Sequence, residues 1–290
     1  MISHIKENLY FYLIFLVAAV LRVYDIETKN LWFDEIYSWH ISLSGFIRIV
    51  AETSGDIHPP LFYFVLKIWI FVFSDSVFSM RMLSVVLSLA SMVLLWRLSL
   101  LLLADKTQTA LVLLLYALSP LYIYYSQEVR MLNLNLHLTL TSVYSFVRYL
   151  KAPNVRTGVI YCLATALSLY THYFALFILI AEIVCAAYIY IRNEERRSSL
   201  KPFFKYPAFA FAMFMPWLPI MIGQALKGQP WRSSQSVGEV ADAVFSYFQD
   251  MFLSVYHAYE SMAISYVSRV VSLSVMLFLF LCIMRTVNSR

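Results

Sequence analysis

Long apolar stretches alternate with short polar segments along nearly the whole chain. Each longer stretch approaches the roughly 20 residues that an α-helix needs to cross a bilayer. Because lipid offers no partner for an open backbone N–H or C=O group, these stretches are predicted to be helices. We expect an all-α, polytopic membrane protein with about eight transmembrane helices, over residues 8–24, 79–103, 107–125, 131–150, 157–171, 173–191, 203–222 and 266–285.

Composition supports the same class. Hydrophobic residues make up 61% of the 290 residues, charged residues 13%, and the mean hydropathy is +0.70. A soluble domain carries roughly 25% charged residues, so a water-soluble globular protein is excluded. The net charge of +5 does not indicate a nucleic-acid partner, because basic residues collect on the cytoplasmic loops of membrane proteins.

Two basic loops, 148–156 and 192–205, set the predicted orientation. By the excess of Lys and Arg they should be cytoplasmic. A long first loop (25–78) and a second large loop (223–265) are then external. The apolar segment 61–73 within the first loop is too short to span and follows two prolines, which favours a shallow or re-entrant helix.

Both external loops carry a helical pattern of apolar residues. In the second loop the pattern covers residues 239–263. Apolar residues at helical spacing with polar residues between them indicate an amphipathic helix at the membrane surface or over a cavity. In the first loop the apolar positions are Ile36, Leu43, Phe46, Ile47 and Val50.

Polar and charged residues collect on the predicted external side. The first loop carries Asp34-Glu35 and then Asp56-x-His58, and the next external turn, residues 126–131, carries Glu128 and Arg130. The tip of the following hairpin carries His172. Each feature alone is ordinary; an Asp-Glu pair, for example, often marks only a helix N-terminus. Together on one face, ionisable residues near a membrane indicate a functional site.

Several blocks also match a family pattern in order and spacing. They are Leu31–Glu35 (LWFDE), His58–Tyr63 (HPPLFY), Ser119-Pro120, Tyr125–Met131 (YSQEVRM) and Thr171–Phe174 (THYF). As a set they resemble the glycosyltransferase family 39-like proteins, which include the protein O-mannosyltransferases and the aminoarabinose transferase acting on lipid A. The resemblance covers roughly residues 8–222. It implies the C-type glycosyltransferase fold, a lipid-phosphate sugar donor and a catalytic acidic residue in the first external loop, which maps onto Asp34.

The predicted activity is transfer of a sugar from a polyprenyl-phosphate donor to an acceptor hydroxyl, with inversion. Asp34 is the expected general base, and Glu35 positions it, packs against a loop or contacts the acceptor. Arg130 suits the donor phosphate because a guanidinium offers paired donors to phosphate oxygens. Further expected contacts to donor or substrate are Glu128, His172, His58, Tyr125 and Tyr173.

Several alternatives stay open at this point. A metal-free site is favoured over one in which Asp34, Glu128 and the donor phosphate hold Mg²⁺ or Mn²⁺. The acceptor is a hydroxyl of a glycan, a lipid or a protein. A transporter for lipid-linked sugars is disfavoured because the spans carry few ionisable residues, Glu182 being the clearest exception. A non-catalytic membrane subunit is the other alternative.

Two segments are expected along the chain. Residues 1–222 form the transmembrane glycosyltransferase module, and residues 223–290 supply the second amphipathic helix and a last span. Family members usually continue further, so the chain is expected to be either a truncated form or a short member. The predicted location is the plasma (inner) membrane, with the active site facing the periplasm or exterior.

Overall fold

The computed structural model describes residues 8–103 and 105–227, and all regular structure in these ranges is helical. Apart from residues 118–124, which belong to a second unit, the described residues form one compact unit. The predicted amphipathic helix at 239–263 and the predicted span at 266–285 lie outside the described residues. The predicted all-helical class is confirmed for the part of the chain that is described.

The α-helices are numbered here in chain order. They are α1 (Leu9–Val23), α2 (Phe33–Leu43), α3 (Phe46–Gly55), α4 (Leu61–Phe73), α5 (Val77–Leu102), α6 (Lys106–Leu118), α7 (Pro120–Ser126), α8 (Leu132–Lys151), α9 (Val155–Leu169), α10 (Ala175–Arg192), α11 (Glu194–Leu200), α12 (Lys205–Phe214) and α13 (Leu218–Lys227). Short 3₁₀ turns at Lys201–Phe204 and Met215–Trp217 join α11, α12 and α13 into one helical run.

Three helical runs in the described ranges are long and apolar enough to cross a membrane: Val77–Leu102, Ala175–Arg192 and Glu194–Lys227. The pair α6 and α7, interrupted at Ser119, passes the same test together and raises the number to four. The helices α1, α4 and α9 are apolar but shorter. The chain is therefore a multi-pass membrane protein, although fewer spans meet these criteria than the sequence predicts.

The difference in number has a physical basis. Helix α8 is 20 residues long, but polar residues such as Asn133, Asn135 and His137 reduce its hydropathy. Helices α1 and α9 have 15 residues each, about 22 Å at a rise of 1.5 Å per residue. A bilayer core is roughly 30 Å thick. Helix α4 has only 13 residues, the length expected for a shallow or re-entrant segment.

The amphipathic stretch predicted in the first loop folds into two helices rather than one. Residues Ser44 and Gly45 adopt extended backbone conformations between α2 and α3, and glycine is a poor helix former. The predicted helical pattern is thus correct, but the chain turns in the middle of it. The five apolar positions that carry the pattern remain exposed: Ile36, Leu43, Phe46, Ile47 and Val50.

A buried cluster holds this loop against the bundle. Ile41 of α2, Ile49 of α3 and Leu66 of α4 pack with Leu83 of α5 and with Val129, which precedes α8. Burial of such side chains is the main favourable contribution to folding, about 1.5–3 kcal/mol for each. The cluster therefore brings the first loop and the turn before α8 together.

Arg22, near the end of α1, is fully buried and stabilises the end of α6. Its guanidinium donates to the carbonyls of Tyr116 (3.1 Å) and Ala117 (3.2 Å). In a continuous helix the Tyr116 carbonyl would accept from the N–H of residue 120, but proline has no N–H group. Arg22 supplies a donor at that position, where lipid would supply none.

Candidate active site

Glu35 anchors the N-terminus of α2 and is completely buried. Its Oε1 accepts hydrogen bonds from Arg81 Nε (3.0 Å) and from the backbone N–H of Val129 (3.0 Å). Its Oε2 accepts from Arg81 Nη2 (2.8 Å) and from the Trp32 N–H (3.3 Å). A carboxylate offers about four acceptor positions, so Glu35 has no position left for a substrate.

Arg81, near the start of α5, also has all of its hydrogen-bonding groups occupied. Besides Glu35, its guanidinium donates to the backbone carbonyls of Ile26 (2.7 Å), Lys29 (2.9 Å) and Asn30 (3.3 Å). These contacts occupy all five N–H donors of an arginine. The Glu35–Arg81 pair thereby fixes the loop after α1, the start of α2 and the turn before α8 in one place.

Asp34, next to Glu35, points the other way and meets Arg130. The Arg130 Nη2 to Asp34 Oδ2 distance is 3.2 Å, and the two side chains are 14% and 33% exposed. Asp34 and Arg130 therefore form a partly exposed ion pair, unlike the buried Glu35–Arg81 pair beside it. Both residues are predicted to lie on one side of the membrane, and the structure brings them into contact.

The turn carrying Arg130 is fixed by its neighbours. Gln127 donates to the carbonyls of Tyr24 (2.8 Å) and Arg22 (3.2 Å) at the end of α1. The Ser84 hydroxyl of α5 donates to the Glu128 carbonyl at 2.5 Å, and the Glu128 side chain is buried. Tyr125 is half-buried, and its carbonyl accepts from Asn133.

The two predicted histidines lie side by side. The ring centroids of His58 and His172 are 5.5 Å apart, because the Leu61 N–H at the start of α4 donates to the Tyr170 carbonyl at 3.1 Å. Burial, followed by the positive charges of Arg130 and His172, lowers the pKa of His58 to about 3. Burial and Arg130 also lower the pKa of His172. Both rings are therefore neutral near pH 7.

The neutral His172 ring has a defined orientation. Its Nδ1 accepts a hydrogen bond from the Phe174 N–H at 3.2 Å. A neutral imidazole carries its proton on the other nitrogen when Nδ1 is an acceptor. His172 can therefore donate from Nε2 to an oxygen of a bound molecule.

A second carboxylate, Asp56, lies in the same region and is not among the predicted site residues. It follows α3 directly and is half-buried, with the Tyr37 hydroxyl and the Ile57 N–H near enough to stabilise its charged form. Burial raises the pKa of Asp56, while these two groups and Arg130 oppose the rise. Burial and the Asp56 charge raise the pKa of Tyr37.

Tyr173, at the hairpin tip, contacts α13 and the turn before it. Its hydroxyl accepts from Trp217 Nε1 (2.9 Å) and is hydrogen-bonded to the Gln224 side chain. Gln224 in turn donates to the Thr53 carbonyl of α3 at 2.8 Å. Burial raises the pKa of Tyr173, and the nearby Asp56 adds to the rise. Tyr173 therefore connects the hairpin tip to the segment that carries Asp56.

In the described part of the chain, no group of three or more His, Cys, Asp and Glu side chains is arranged to hold a metal ion. Asp34 is already paired with Arg130. The alternative with a divalent ion between Asp34 and Glu128 would thus depend largely on ligands from the donor phosphate and water.

Asp34, Arg130, His58 and His172 are predicted site residues, and the structure groups them. Arg81 is not predicted to take part, and Asp56 is noted from the sequence only as a polar residue of the first loop, without a role. Arg81 lies at the start of an apolar span, where an arginine is usually read as a headgroup anchor. The usable signal for Asp56 is its position two residues before His58 in the block preceding the two prolines.

The helices and this polar site define a multi-pass membrane protein whose loops bring ionisable side chains together at the end of a helical bundle. Residues 57–220, more than half of the chain, match the family described as dolichyl-phosphate-mannose-protein mannosyltransferase. The chain belongs to this family. None of the curated proteins matches the chain.

The match confirms the predicted resemblance and the glycosyltransferase class. The matched range contains His58, Arg81, Arg130 and His172, whereas Asp34 and Glu35 precede it. The family supports a glycosyltransferase of the mannosyltransferase type, with a lipid-linked sugar donor and an acceptor in general.

Proposed function

We propose that this protein transfers a sugar from a polyprenyl-phosphate donor to an acceptor hydroxyl, with its active site at Asp34 and Arg130. The observation that carries the proposal is the partly open ion pair between these side chains, 3.2 Å apart. Two neutral histidines lie within electrostatic range of Arg130. A phosphate and an attacking hydroxyl need such a combination of a cation, a carboxylate and neutral hydrogen-bond donors.

The first proposed step is exchange of the Arg130 partner. In the free protein the guanidinium pairs with Asp34. The donor phosphate competes for the same N–H groups, since guanidinium and phosphate oxygens form paired, charge-assisted hydrogen bonds. Once Arg130 turns to the phosphate, the Asp34 carboxylate is released to accept a proton. Donor binding therefore prepares the base.

In the transfer step the acceptor oxygen bonds to the anomeric carbon while its proton passes to Asp34. The bond between the anomeric carbon and the phosphate oxygen breaks, and polyprenyl phosphate leaves with the bonding electrons. A single displacement of this kind inverts the anomeric centre. Arg130 stabilises the charge on the leaving phosphate.

The other predicted residues take supporting roles. His172 donates from Nε2 to a phosphate or sugar oxygen, with His58 beside it. Glu35 positions Asp34, because its own acceptor positions are filled. Glu128 and Tyr125 shape the turn that carries Arg130, and Tyr173 lines the site opposite that turn.

The proposal extends to the whole chain. We place about eight spans in a C-type glycosyltransferase fold, with residues 1–222 as the catalytic module and 223–290 as an amphipathic helix and last span. A polyprenyl tail leaves the bilayer at a cost of about 0.8 kcal/mol per CH₂, so its phosphate stays at headgroup depth. We place the protein in the inner (plasma) membrane, with its active site facing the periplasm or exterior.

Membranes containing the protein, supplied with polyprenyl-phosphate sugars, test the proposal. Asp34→Asn should lower kcat roughly 10²- to 10⁴-fold, the usual contribution of a general base. Arg48→Ala is a matched control, because Arg48 is an exposed residue of the same loop paired only with Glu52 among described residues. Full activity of Asp34→Asn would remove Asp34 from the base role.

Arg130→Ala tests the phosphate assignment separately. Loss of a charge-assisted contact should raise the donor KM about 10- to 100-fold. The KM for the acceptor should change much less. An unchanged donor KM would contradict the assignment of Arg130 to the phosphate.

A further inference from the structure

Asp56 is a carboxylate in the site for which the proposed transfer has no use. It is half-buried, with the Tyr37 hydroxyl and the backbone N–H of Ile57 close to its carboxylate. No described cation forms an ion pair with it, since Arg130 pairs with Asp34 instead. Asp56 thus keeps acceptor capacity in a region from which water is partly excluded.

Tyr63 of α4 adds a second, independent observation. Its side chain is completely buried, and its hydroxyl has no hydrogen-bond partner in the described part of the chain. The charged and titratable neighbours of this hydroxyl are Asp56, Arg130, Tyr37 and Asp34. A buried polar group without a partner is costly, so it points to a hydrogen bond that the free protein does not complete.

The positions of Asp56, Tyr37 and Tyr63 relative to Arg130 indicate which part of the donor they would contact. In a sugar phosphate the ring is attached directly to the phosphate, so a phosphate on Arg130 brings the ring hydroxyls close to Arg130. The Tyr37 and Tyr63 rings pack edge to face, with their centroids 6.4 Å apart. These two residues and Asp56 all lie within electrostatic range of Arg130. A carboxylate forms a strong, charge-assisted hydrogen bond with a hydroxyl.

We infer that Asp56, with Tyr37 and Tyr63 beside it, binds a ring hydroxyl of the transferred sugar and determines which sugar is accepted. This inference rests on the proposed function. The ring hydroxyl donates to the Asp56 carboxylate, and the buried Tyr63 hydroxyl donates to the same carboxylate once that carboxylate reorients on binding. No bond to Asp56 is made or broken, and the single proton released in transfer still goes to Asp34.

The test compares donors that lack one hydroxyl at a time. Wild-type protein is first given polyprenyl-phosphate mannose, glucose, galactose and arabinose to find the preferred sugar. Monodeoxy analogues of that donor are then used with wild type, Asp56→Asn and Tyr63→Phe. Glu52→Gln is the matched control, because it removes a carboxylate of α3 that also acts on Tyr37 but pairs with Arg48 instead.

We expect wild-type kcat/KM to fall about 10- to 100-fold for one analogue, the size of one hydrogen bond to a charged group. Asp56→Asn should lose a similar factor with the complete donor and little more with that analogue. Tyr63→Phe should raise the donor KM without lowering the unfolding midpoint of the free protein, because the lost hydroxyl has no partner there. Glu52→Gln should resemble wild type.

Three results would overturn the inference while leaving the proposed function intact. The first is an Asp56→Asn variant that discriminates among the analogues as wild type does. The second is loss of kcat on every donor, as for Asp34→Asn, which would put Asp56 in the proton transfer. The third is an Asp56→Asn variant whose discrimination changes among deoxygenated acceptors but not among deoxygenated donors. A wild-type protein that transfers no polyprenyl-phosphate sugar would instead remove both proposals.

Discussion

At the scale of single residues, two adjacent acids have opposite environments. Asp34 is a third exposed and pairs with a partly open arginine, whereas Glu35 is sealed with Arg81. The difference follows from α2, whose successive residues point in directions about 100° apart. One acid can therefore stay available for chemistry while its neighbour holds the backbone that carries it.

The sealed pair should be costly to break. Glu35→Gln leaves the Arg81 charge buried without a counter-charge, and Arg81→Met does the same to Glu35. Loss of one partner of a buried ion pair typically costs about 3–5 kcal/mol. The double variant should lose less than the sum of the single variants. Thermal unfolding of the four proteins in detergent measures this coupling, and additive losses would contradict it.

The lowered pKa of His58 predicts a loss of stability in acid. The unfolded chain binds a proton near pH 6.5, whereas folded His58 does so only near pH 3. Stability therefore falls as the pH drops below 6.5, by about 2 kcal/mol at pH 5 from this residue. Unfolding midpoints at pH 7.5 and 5 should differ less in His58→Gln than in wild type. An equal difference in both proteins would show that His58 titrates normally.

The family resemblance, not the charge pattern, gave Asp34 its expected catalytic role. Residue type and order were enough to expect Asp34 and Arg130 near one another, because both residues stand out as charges beside apolar spans. They were not enough to predict Arg81 as the partner of Glu35. That pairing depends on how α5 passes the loop after α1, which no local pattern encodes. Asp56 was given no role for a related reason: its proposed role depends on Tyr37 and Tyr63, which sequence alone does not place beside it.

At the scale of helices, close approach between α9 and α12 depends on a single glycine. A Cβ atom at Gly158 would meet the Tyr206 ring, with the nearest ring atom 2.1 Å away. Tyr206 is buried and packs against Tyr149 and Phe203. The ring has little room to move, so the helices would have to separate.

Gly158→Ala should consequently destabilise the protein, by about 1–3 kcal/mol for overpacking of a core. Gly223→Ala is a matched control in α13, where a Cβ atom would meet nothing within 4 Å. There the better helix propensity of alanine should leave stability unchanged or raise it by up to about 1 kcal/mol. Equal unfolding midpoints for the two variants would refute the packing argument.

The helices themselves were largely predictable, and their ends were only partly so. Apolar length placed α5 and α10 close to their predicted limits, whereas the run Glu194–Lys227 extends beyond the predicted span 203–222 at both ends. The break between α2 and α3 at Ser44 and Gly45 was hidden, because the apolar pattern continues across it. Length and polarity alone also could not decide whether α1, α8 and α9 count as spans, since each is shorter or more polar than a typical transmembrane helix.

At the scale of the whole molecule, the proposed chemistry requires one orientation. The site residues lie in the loop after α1, the turn before α8 and the tip between α9 and α10. The basic segment at α11 lies at the other end of α10, a helix long and apolar enough to span. If α10 crosses the bilayer, the site and α11 are on opposite sides. The excess of basic residues near α11 then predicts that this end is cytoplasmic.

Single cysteines at exposed positions can test this orientation. Thr28, in the loop fixed by Arg81, and Ser198, in α11, are both exposed. In intact cells a membrane-impermeant maleimide should label Thr28→Cys, and it should label Ser198→Cys only after the membrane is opened. The parent protein measures the background from its own cysteines. Labelling of Ser198→Cys alone in intact cells would place the Asp34–Arg130 site in the cytoplasm, where a periplasmic or exterior acceptor could not reach it.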